Sequence, residues 1–305
     1  MYLYSMQSLC NNIAYYKTIQ NIHTVSVPKL ISSYECPDEI INRLPALKFS
    51  IQYTSNILSI PIKISFYTLQ PNLCLDRFNI VMTILRLFKP TTSVTVDFLL
   101  TDIQKQLPKS GPVGPSTLNT GYASDKIVVY REEEWLKVFI HECMHLFEFD
   151  NALRDKQKLI QTLFPLKISV ELNESYCEVW ARILNCCVIS VYNSVSVYDL
   201  IKKESAFSIS QMNKVLNYMN LNYNQLFDPK TVYTENTNAF AYLVLGTILM
   251  TNPYKFVEWC VQHNSVFKVT DSDEYIKLIK SMYKVNLSSE YSGTSTKMTI
   301  NNIQL

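Results

Sequence analysis

The sequence has no strong excess of charge of one sign and no long hydrophobic run. Lysine and arginine number 28 against 26 acidic residues, which gives a formal net charge of +2, and no dense basic run occurs. Nucleic-acid-binding proteins usually carry a basic face, so we do not expect nucleic acid as a partner. No segment reaches the roughly 18 apolar residues of a membrane-spanning helix, and the N-terminus lacks a secretion-signal pattern. We therefore expect neither a membrane partner nor secretion.

Paired cysteine motifs are also missing. The eight cysteines include no Cys-x-x-Cys pair, and several fall on apolar positions of predicted helices. Free thiols at such positions commonly pack as small hydrophobic groups. This pattern favours an intracellular, reducing compartment over a disulfide framework.

Histidine is rare, with four residues in 305, yet two of them form a specific motif. His141 and His145 are four positions apart, and Glu142 directly follows the first. At about 100° per residue, positions four apart lie on the same helix face, so both imidazoles can reach one metal ion. Imidazole suits Zn²⁺, and a hydrolytic zinc site uses three protein ligands and leaves a fourth position to water. The motif predicts a zinc site with Glu142 as general base.

The residues around the motif predict a strand followed by a helix. Residues 127–130 form a short apolar run typical of a buried strand, and residues 131–134 predict an acidic first helical turn. The helix that follows has an apolar side at helical spacing, and Cys143 is expected to be buried on it, away from the metal. The alternative is an amphipathic helix that carries two surface histidines and a solvated Glu142.

A third ligand is expected from a helix that opens at Asn173. Glu174 and Glu178 are four residues apart, so a helix stacks them on one face. We predict that Glu174 binds the metal and that Glu178 accepts a hydrogen bond from the N–H group of a ligating histidine. The alternative is that Glu174 only favours the positive helix end and that Glu178 pairs with Arg182.

With these residues, the sequence resembles the gluzincin-type zinc metallopeptidases, which combine His-Glu-x-x-His with a later glutamate ligand. It is also similar to an uncharacterised metallopeptidase-like family of large DNA viruses, over roughly residues 94–260. The resemblance implies a viral origin and a gluzincin-like site, and the low glycine content suits an AT-rich viral genome. Glu178 stands where the commonest gluzincin form has Asp. The resemblance is carried by residues 99–108, 119–122 and 130–135, by the motif helix, and by Asn173, Glu174 and Glu178.

Gluzincins commonly supply a Tyr or His from a later helix to the developing oxyanion, where a donor stabilises the new charge. The stretch that opens the apolar helix near residue 236 offers candidates, and we predict Tyr242. Tyr233, Glu235 and Asn238 remain alternatives. His263 is expected to serve in packing or on the surface.

A loop rich in glycine and proline precedes the motif. Residues 108–125 hold three of the five glycines and three of the twelve prolines, which is typical of a loop that borders a cleft. We expect Asn119 to Ala123 to form an exposed edge that pairs with an extended peptide. A plain surface turn at Asn-Thr-Gly is the alternative.

The chain as a whole predicts an α+β fold. Its 305 residues are 48% hydrophobic, enough to fill a core. Residues 1–92 predict an N-terminal α/β region with a small sheet, and residues 93–285 a zinc metallopeptidase-like catalytic region that is mostly helical after Pro165. Residues 286–305 predict a flexible polar tail.

These expectations describe a zinc metallopeptidase that acts on a peptide or protein substrate, with Zn²⁺ as its cofactor. The rival from another class is a virion or host-interaction protein whose zinc site is structural or vestigial. The fourth coordination position separates the two, because a water there favours the enzyme and a fourth side chain favours the structural role.

Overall fold

One mixed sheet of six strands occupies the N-terminal half of the chain. In the computed structural model these strands are β1 (Thr24–Ser26), β2 (Phe49–Ile57), β3 (Ile60–Thr68), β4 (Val94–Thr101), β5 (Gly121–Ala123) and β6 (Ile127–Arg131). Their order across the sheet is β1-β2-β3-β4-β6-β5, with β4 parallel to both neighbours and the other pairs antiparallel. The structure describes residues 5–17, 24–26, 36–154, 156, 160–263, 265–284, 287 and 289–305. The sequence also predicts a helix from Met6 to Ile19, and its last two residues, as well as His23, lie outside these residues.

Helices make up most of the C-terminal half, as the α+β prediction requires. The longest, α6 and α7, each have 22 residues, and α6 is buried along almost its whole length, as expected of a helix that is apolar on most sides. The helices are α1 (Met6–Lys17), α2 (Asp38–Arg43), α3 (Cys74–Phe88), α4 (Pro115–Leu118), α5 (Trp135–Leu146), α6 (Leu172–Asn193), α7 (Val197–Tyr218), a π-helix (Phe240–Leu245) that continues as α8 (Gly246–Met250), α9 (Pro253–His263) and α10 (Ser272–Lys280).

The sheet is continuous across residue 92, where we predicted a boundary between two regions. β3 precedes this position and β4 follows it, and the two strands pair in parallel from Ile62 opposite Val94 to Tyr67 opposite Leu99. Apolar residues from both sides of the boundary also share the main hydrophobic core. The N-terminal strands therefore support the same sheet that carries the motif helix.

The motif helix α5 packs on this sheet through its apolar side. The ring of Phe98 in β4 lies 5.6 Å from that of Phe139 and 5.7 Å from that of Trp135, measured between centroids. Strand β6 ends at Arg131 and α5 begins at Trp135, so a three-residue turn connects them. This short connection fixes the position of the motif beside β5 and β6.

The acidic turn before α5 is not helical, which corrects the prediction for residues 131–134. Arg131 belongs to β6, and Glu134 adopts a left-handed conformation with φ of 63°. The Glu134 carboxylate forms a fully buried ion pair with Lys105 and accepts hydrogen bonds from the backbone N–H groups of Met298 and Thr299. These distant partners stabilise a conformation that local propensity disfavours.

Within residues 286–305, which we predicted to form a flexible polar tail, residues 294–301 pack against the body of the protein. We call residues 294–301 the C-terminal segment; Thr296, Met298 and Thr299 within it are at most 5% exposed. Its backbone accepts a hydrogen bond from Lys214 Nζ at 2.8 Å, and it contacts the buried carboxylate of Glu204. The segment is polar in composition, but buried polar and charged side chains on the body of the protein bind it. A prediction from composition alone does not include these partners.

No helix in the described part of the chain has both the length and the apolar character needed to cross a membrane.

Candidate metal centre

Two helices bring three potential ligands to one point. His141 and His145 lie one turn apart on α5, and Glu174 lies in the first turn of α6. The two histidine Nε2 atoms are 3.0 Å apart. Glu174 Oε2 lies 3.1 Å from Nε2 of His141 and 3.3 Å from Nε2 of His145. A tetrahedron with metal–ligand bonds of about 2.05 Å has edges of about 3.3 Å. The spacing of the three atoms therefore fits a tetrahedral zinc site.

The other ring nitrogens decide which atoms face this point. Nδ1 of His145 lies 2.8 Å from Asp150 Oδ2, and Nδ1 of His141 lies 3.3 Å from Glu178 Oε2. A carboxylate beside Nδ1 favours the tautomer with the proton on that nitrogen. Both Nε2 atoms then direct lone pairs at each other and at the Glu174 carboxylate. Three converging lone pairs repel one another unless a proton or a metal cation lies between them.

Asp150 contacts the candidate centre, and the sequence interpretation missed it. Its carboxylate is fully buried and accepts a second hydrogen bond, at 3.1 Å, from the side chain of Asn173, the residue before Glu174. Burial raises the pKa of Asp150, but the hydrogen bonds from His145 and Asn173 and the positive charges of His145 and Arg154 together outweigh this effect, and the pKa is lowered. An acid five residues after His145 was the available signal. Its direction depends on the turn after α5, which no sequence motif marks.

Glu178 pairs with Arg182, as the alternative interpretation expected, and its Oε2 atom lies 3.3 Å from Nδ1 of His141 without forming a hydrogen bond to it. Besides approaching His141, it accepts hydrogen bonds from Lys137 Nζ at 2.8 and 3.1 Å and from Arg182 Nε at 2.8 Å. Burial raises the pKa of Glu178, but the positive charges of Lys137 and Arg182 oppose this effect. The net pKa lies well below the ordinary value. The carboxylate therefore stays ionised and can orient the His141 ring.

Glu142 lies beside the three ligands, in a closely packed position. It is 7% exposed, and burial raises the pKa of its carboxyl group, against the lowering effect of His141 and His145. Gly121 of β5 packs against it: a Cβ atom at residue 121 would lie 3.4 Å from Glu142 Cγ and only 2.7 Å from Val128 O. A glycine is thus required where the edge strand crosses the general-base candidate.

Tyr242 approaches the site from the π-helix. Its ring centroid is 5.8 Å from that of His141. Burial, with Glu174 and Glu142 nearby, raises the pKa of Tyr242 well above its usual value, so the hydroxyl keeps its proton and remains a donor. π-Helical turns are rare and occur frequently at functional sites.

Two of the alternatives to Tyr242, Tyr233 and Glu235, have structural contacts instead, and the third, Asn238, accepts a hydrogen bond from the backbone N–H of Tyr242 at 3.0 Å. Glu235 accepts hydrogen bonds from the Tyr233 hydroxyl at 2.9 Å and from the Phe240 backbone N–H at 2.7 Å, so both residues stabilise the start of the π-helix. His263 stacks on Trp259 at the end of α9, with ring centroids 5.2 Å apart, as its expected packing role requires.

A small cavity lies next to the candidate ligands. Its volume is about 30 Å³. The loop that we expected to border a cleft contributes to its wall. Among the described strands β5 is the last in the sheet, but residues 119–123 are not exposed as predicted: Thr120 is buried and the others are half-buried. The lining residues are Leu118, Asn119, Thr120, Gly121, Lys137, Val138, His141, Glu142, Glu178, Tyr242 and Met298.

Two cysteines near the motif differ in their surroundings. Cys143 is fully buried in the main hydrophobic core, and burial raises the pKa of its thiol well above the usual value, in agreement with the prediction that it packs away from the metal. Cys177 Sγ lies 3.7 Å from Nδ1 of His145, on the Asp150 side of that ring. Neither thiol is among the three atoms that converge at the candidate centre.

Comparison with known proteins adds one similarity. The chain is 24% identical over 198 residues to an uncharacterized protein, R210, of Acanthamoeba polyphaga mimivirus; the match covers 60% of this chain and 51% of the viral protein. The chain therefore spans about half the length of that relative. No protein-family model and no solved structure matches the chain. The similarity is consistent with a giant-virus origin.

Proposed function

We propose that this protein is a zinc-dependent metallopeptidase that uses His141, His145 and Glu174 as metal ligands. The observation that supports this most strongly is the convergence of three ligand atoms at 3.0 to 3.3 Å, with carboxylates behind both imidazoles. Among the described residues, this group contains three donors, as in catalytic zinc sites, which leave one position to water. Bound zinc would supply a Lewis acid that lowers the pKa of a water molecule towards about 7.

Glu142 is the proposed general base. Its carboxylate lines the same cavity as His141, and its raised pKa makes it better matched to accept a proton from water near neutral pH. It then returns that proton to the leaving amine nitrogen. Tyr242 keeps its hydroxyl proton and lines the same cavity as His141 and Glu142, so we assign it the donor role towards the oxygen that gains charge.

An extended peptide fits the surroundings of the site. Strand β5 ends the sheet and lies next to the cavity that contains Glu142. A peptide that lies extended beside the last strand of a sheet is ordered through its main chain, without regard to most of its sequence. We therefore propose a peptide or protein substrate that passes Gly121, with its scissile carbonyl at the three proposed ligands.

A structural zinc site is the competing assignment. Such a site requires a fourth protein ligand. Cys177 faces Nδ1 of His145, where it forms a separate group of possible ligands with Asp150, and not the Nε2 atoms that converge on Glu174. This arrangement favours the enzyme.

The test is a Glu142→Gln substitution in zinc-loaded protein. We expect zinc to remain bound, because Glu142 is not a ligand, and hydrolysis of a fluorogenic peptide mixture to fall by at least ~100-fold. Glu148→Gln, an exposed residue just after α5, is the matched control and should leave hydrolysis unchanged. Equal turnover by wild type and Glu142→Gln would show that any activity arises elsewhere.

A further inference from the structure

The far end of the chain forms one wall of the cavity beside Glu142. Met298 lines this cavity, is 5% exposed, and belongs to an apolar cluster with Leu118 and Tyr242. The C-terminal segment thus reaches the site from a position more than 150 residues after the motif. Its side chain at residue 298 lies in the same small space as the proposed general base.

The backbone on either side of Met298 is firmly held. Glu134 Oε1 accepts hydrogen bonds from the N–H groups of Met298 and Thr299, each at 2.5 Å. Gln211 Nε2 donates to the carbonyl of Lys297 at 2.8 Å. Because these contacts fix the main chain, a change of side chain at residue 298 alters the volume of the cavity and not the course of the segment.

The cavity opens to solvent on one side, and the space inside this opening is small. At about 30 Å³ it exceeds only modestly the roughly 10–15 Å³ that one water-sized group requires, so it accommodates two or three such groups. One of these places belongs to the attacking water. The remaining space suits the hydrogen atom of glycine, the methyl group of alanine or the hydroxymethyl group of serine. The side chains of leucine and phenylalanine are larger, with four and seven heavy atoms.

We infer that Met298 is a specificity-determining residue that limits the enzyme to peptide bonds flanked, on the side that faces this cavity, by Gly, Ala or Ser. This inference rests on the proposed peptidase function. Leu118 and Val138 form other parts of the same wall, but Met298 is the one whose long, unbranched side chain can be shortened without changing the zinc helix or the sheet.

The experiment compares kcat/KM of the zinc-loaded full chain on fluorogenic peptides. The peptides vary one residue flanking the scissile bond at a time, through Gly, Ala, Leu and Phe. At one of the two positions that flank the scissile bond, we expect wild type to cleave the Ala peptide at least ~10-fold faster than the Leu and Phe peptides. Met298→Ala should raise the ratio of kcat/KM for the Leu peptide to kcat/KM for the Ala peptide at least ~10-fold.

Ile300→Ala is the matched control, because Ile300 lies in the same segment, is 47% exposed and does not line the cavity. It should keep the wild-type preference. A wild type that cleaves Leu or Phe peptides as fast as Ala peptides at both positions overturns the inference. So does a Met298→Ala variant with an unchanged preference.

Failure of the proposed function gives a different result. If zinc is bound but no peptide is cleaved, the peptidase assignment is wrong, and the affinities of alanine, leucine and phenylalanine hydroxamates then decide the cavity inference. Tighter binding of the alanine compound by wild type, with this preference lost in Met298→Ala, supports a size limit set by Met298. Equal affinities in wild type overturn it.

Discussion

Asp150 contacts His145, the second histidine of the motif, at the ring nitrogen that faces away from the proposed metal position: its Oδ2 atom lies 2.8 Å from Nδ1. The same oxygen accepts a hydrogen bond from Asn173, which precedes the proposed ligand Glu174. One buried carboxylate therefore connects α5 to the first turn of α6. It fixes the His145 ring in the orientation that directs Nε2 at the proposed metal position.

The first prediction concerns this contact. Asp150→Asn keeps the shape of the side chain but removes its charge, so the His145 ring loses basicity and orientation. We expect zinc affinity to fall about 10- to 100-fold, as is typical for such outer partners of ligating histidines. Competition with a chromophoric zinc chelator measures it. Glu148→Gln, exposed and two residues earlier, serves as the control, and equal affinities of Asp150→Asn and wild type would contradict the assigned role.

The second prediction concerns the glycine of the edge strand. A Cβ at residue 121 would lie 2.7 Å from Val128 O and 2.8 Å from Val138 Cγ1, so either the strand or α5 must shift. We expect Gly121→Ala to lower the free energy of unfolding by about 1–3 kcal/mol, the usual cost of overpacking, and to reduce peptide hydrolysis through displacement of Glu142. Denaturant unfolding and a peptide assay measure the two effects.

Gly114→Ala is the matched control for this substitution. Its Cβ would meet only Asn236 Cβ, at an ordinary 3.6 Å, so stability and hydrolysis should change little. Similar losses in both variants would mean that the effect arises from glycine replacement in general and not from the contact with Glu142.

The third prediction concerns pH and Glu204, which anchors the C-terminal segment. Burial raises the pKa of Glu204 to about 7, and Arg182 opposes this shift. Because the folded protein holds this proton more tightly than the unfolded chain, the stability contribution is complete below the unfolded pKa of about 4.5 and is lost as pH rises to about 7. At about 1.4 kcal/mol per pKa unit, the loss is on the order of 3 kcal/mol.

Glu204→Gln cannot ionise, so its free energy of unfolding should decrease less than that of wild type between pH 5 and pH 8. Urea denaturation at both pH values provides the comparison. Parallel pH dependence in the two proteins would rule out Glu204 as the titrating group.

The sequence predicted those parts of the molecule that depend on local spacing. The His-Glu helix and the stacking of Glu174 with Glu178 follow from the helical period, and strand β4 follows from its β-branched residues. The α+β fold was predicted for the same reason, because strand-rich and helix-rich stretches are separated along the chain.

Parts that depend on distant partners were missed or predicted wrongly. Glu134 looks like a residue of a first helical turn, but Lys105 and the C-terminal segment hold it in a left-handed conformation. The C-terminal segment looks like a polar tail, but it is bound by buried carboxylates some 90 to 165 residues earlier in the chain. Neither contact has a local signature, since its energy comes from ion pairing and burial that exist only in the folded chain.

The central claim is that His141, His145 and Glu174 jointly bind one zinc ion, and metal content measured by mass spectrometry tests it most directly. Wild type purified without chelators should contain about one zinc per chain, and Glu174→Ala should lose most of it, because a site with two ligands binds far more weakly. Wild type without zinc, or Glu174→Ala with undiminished zinc, would contradict the account.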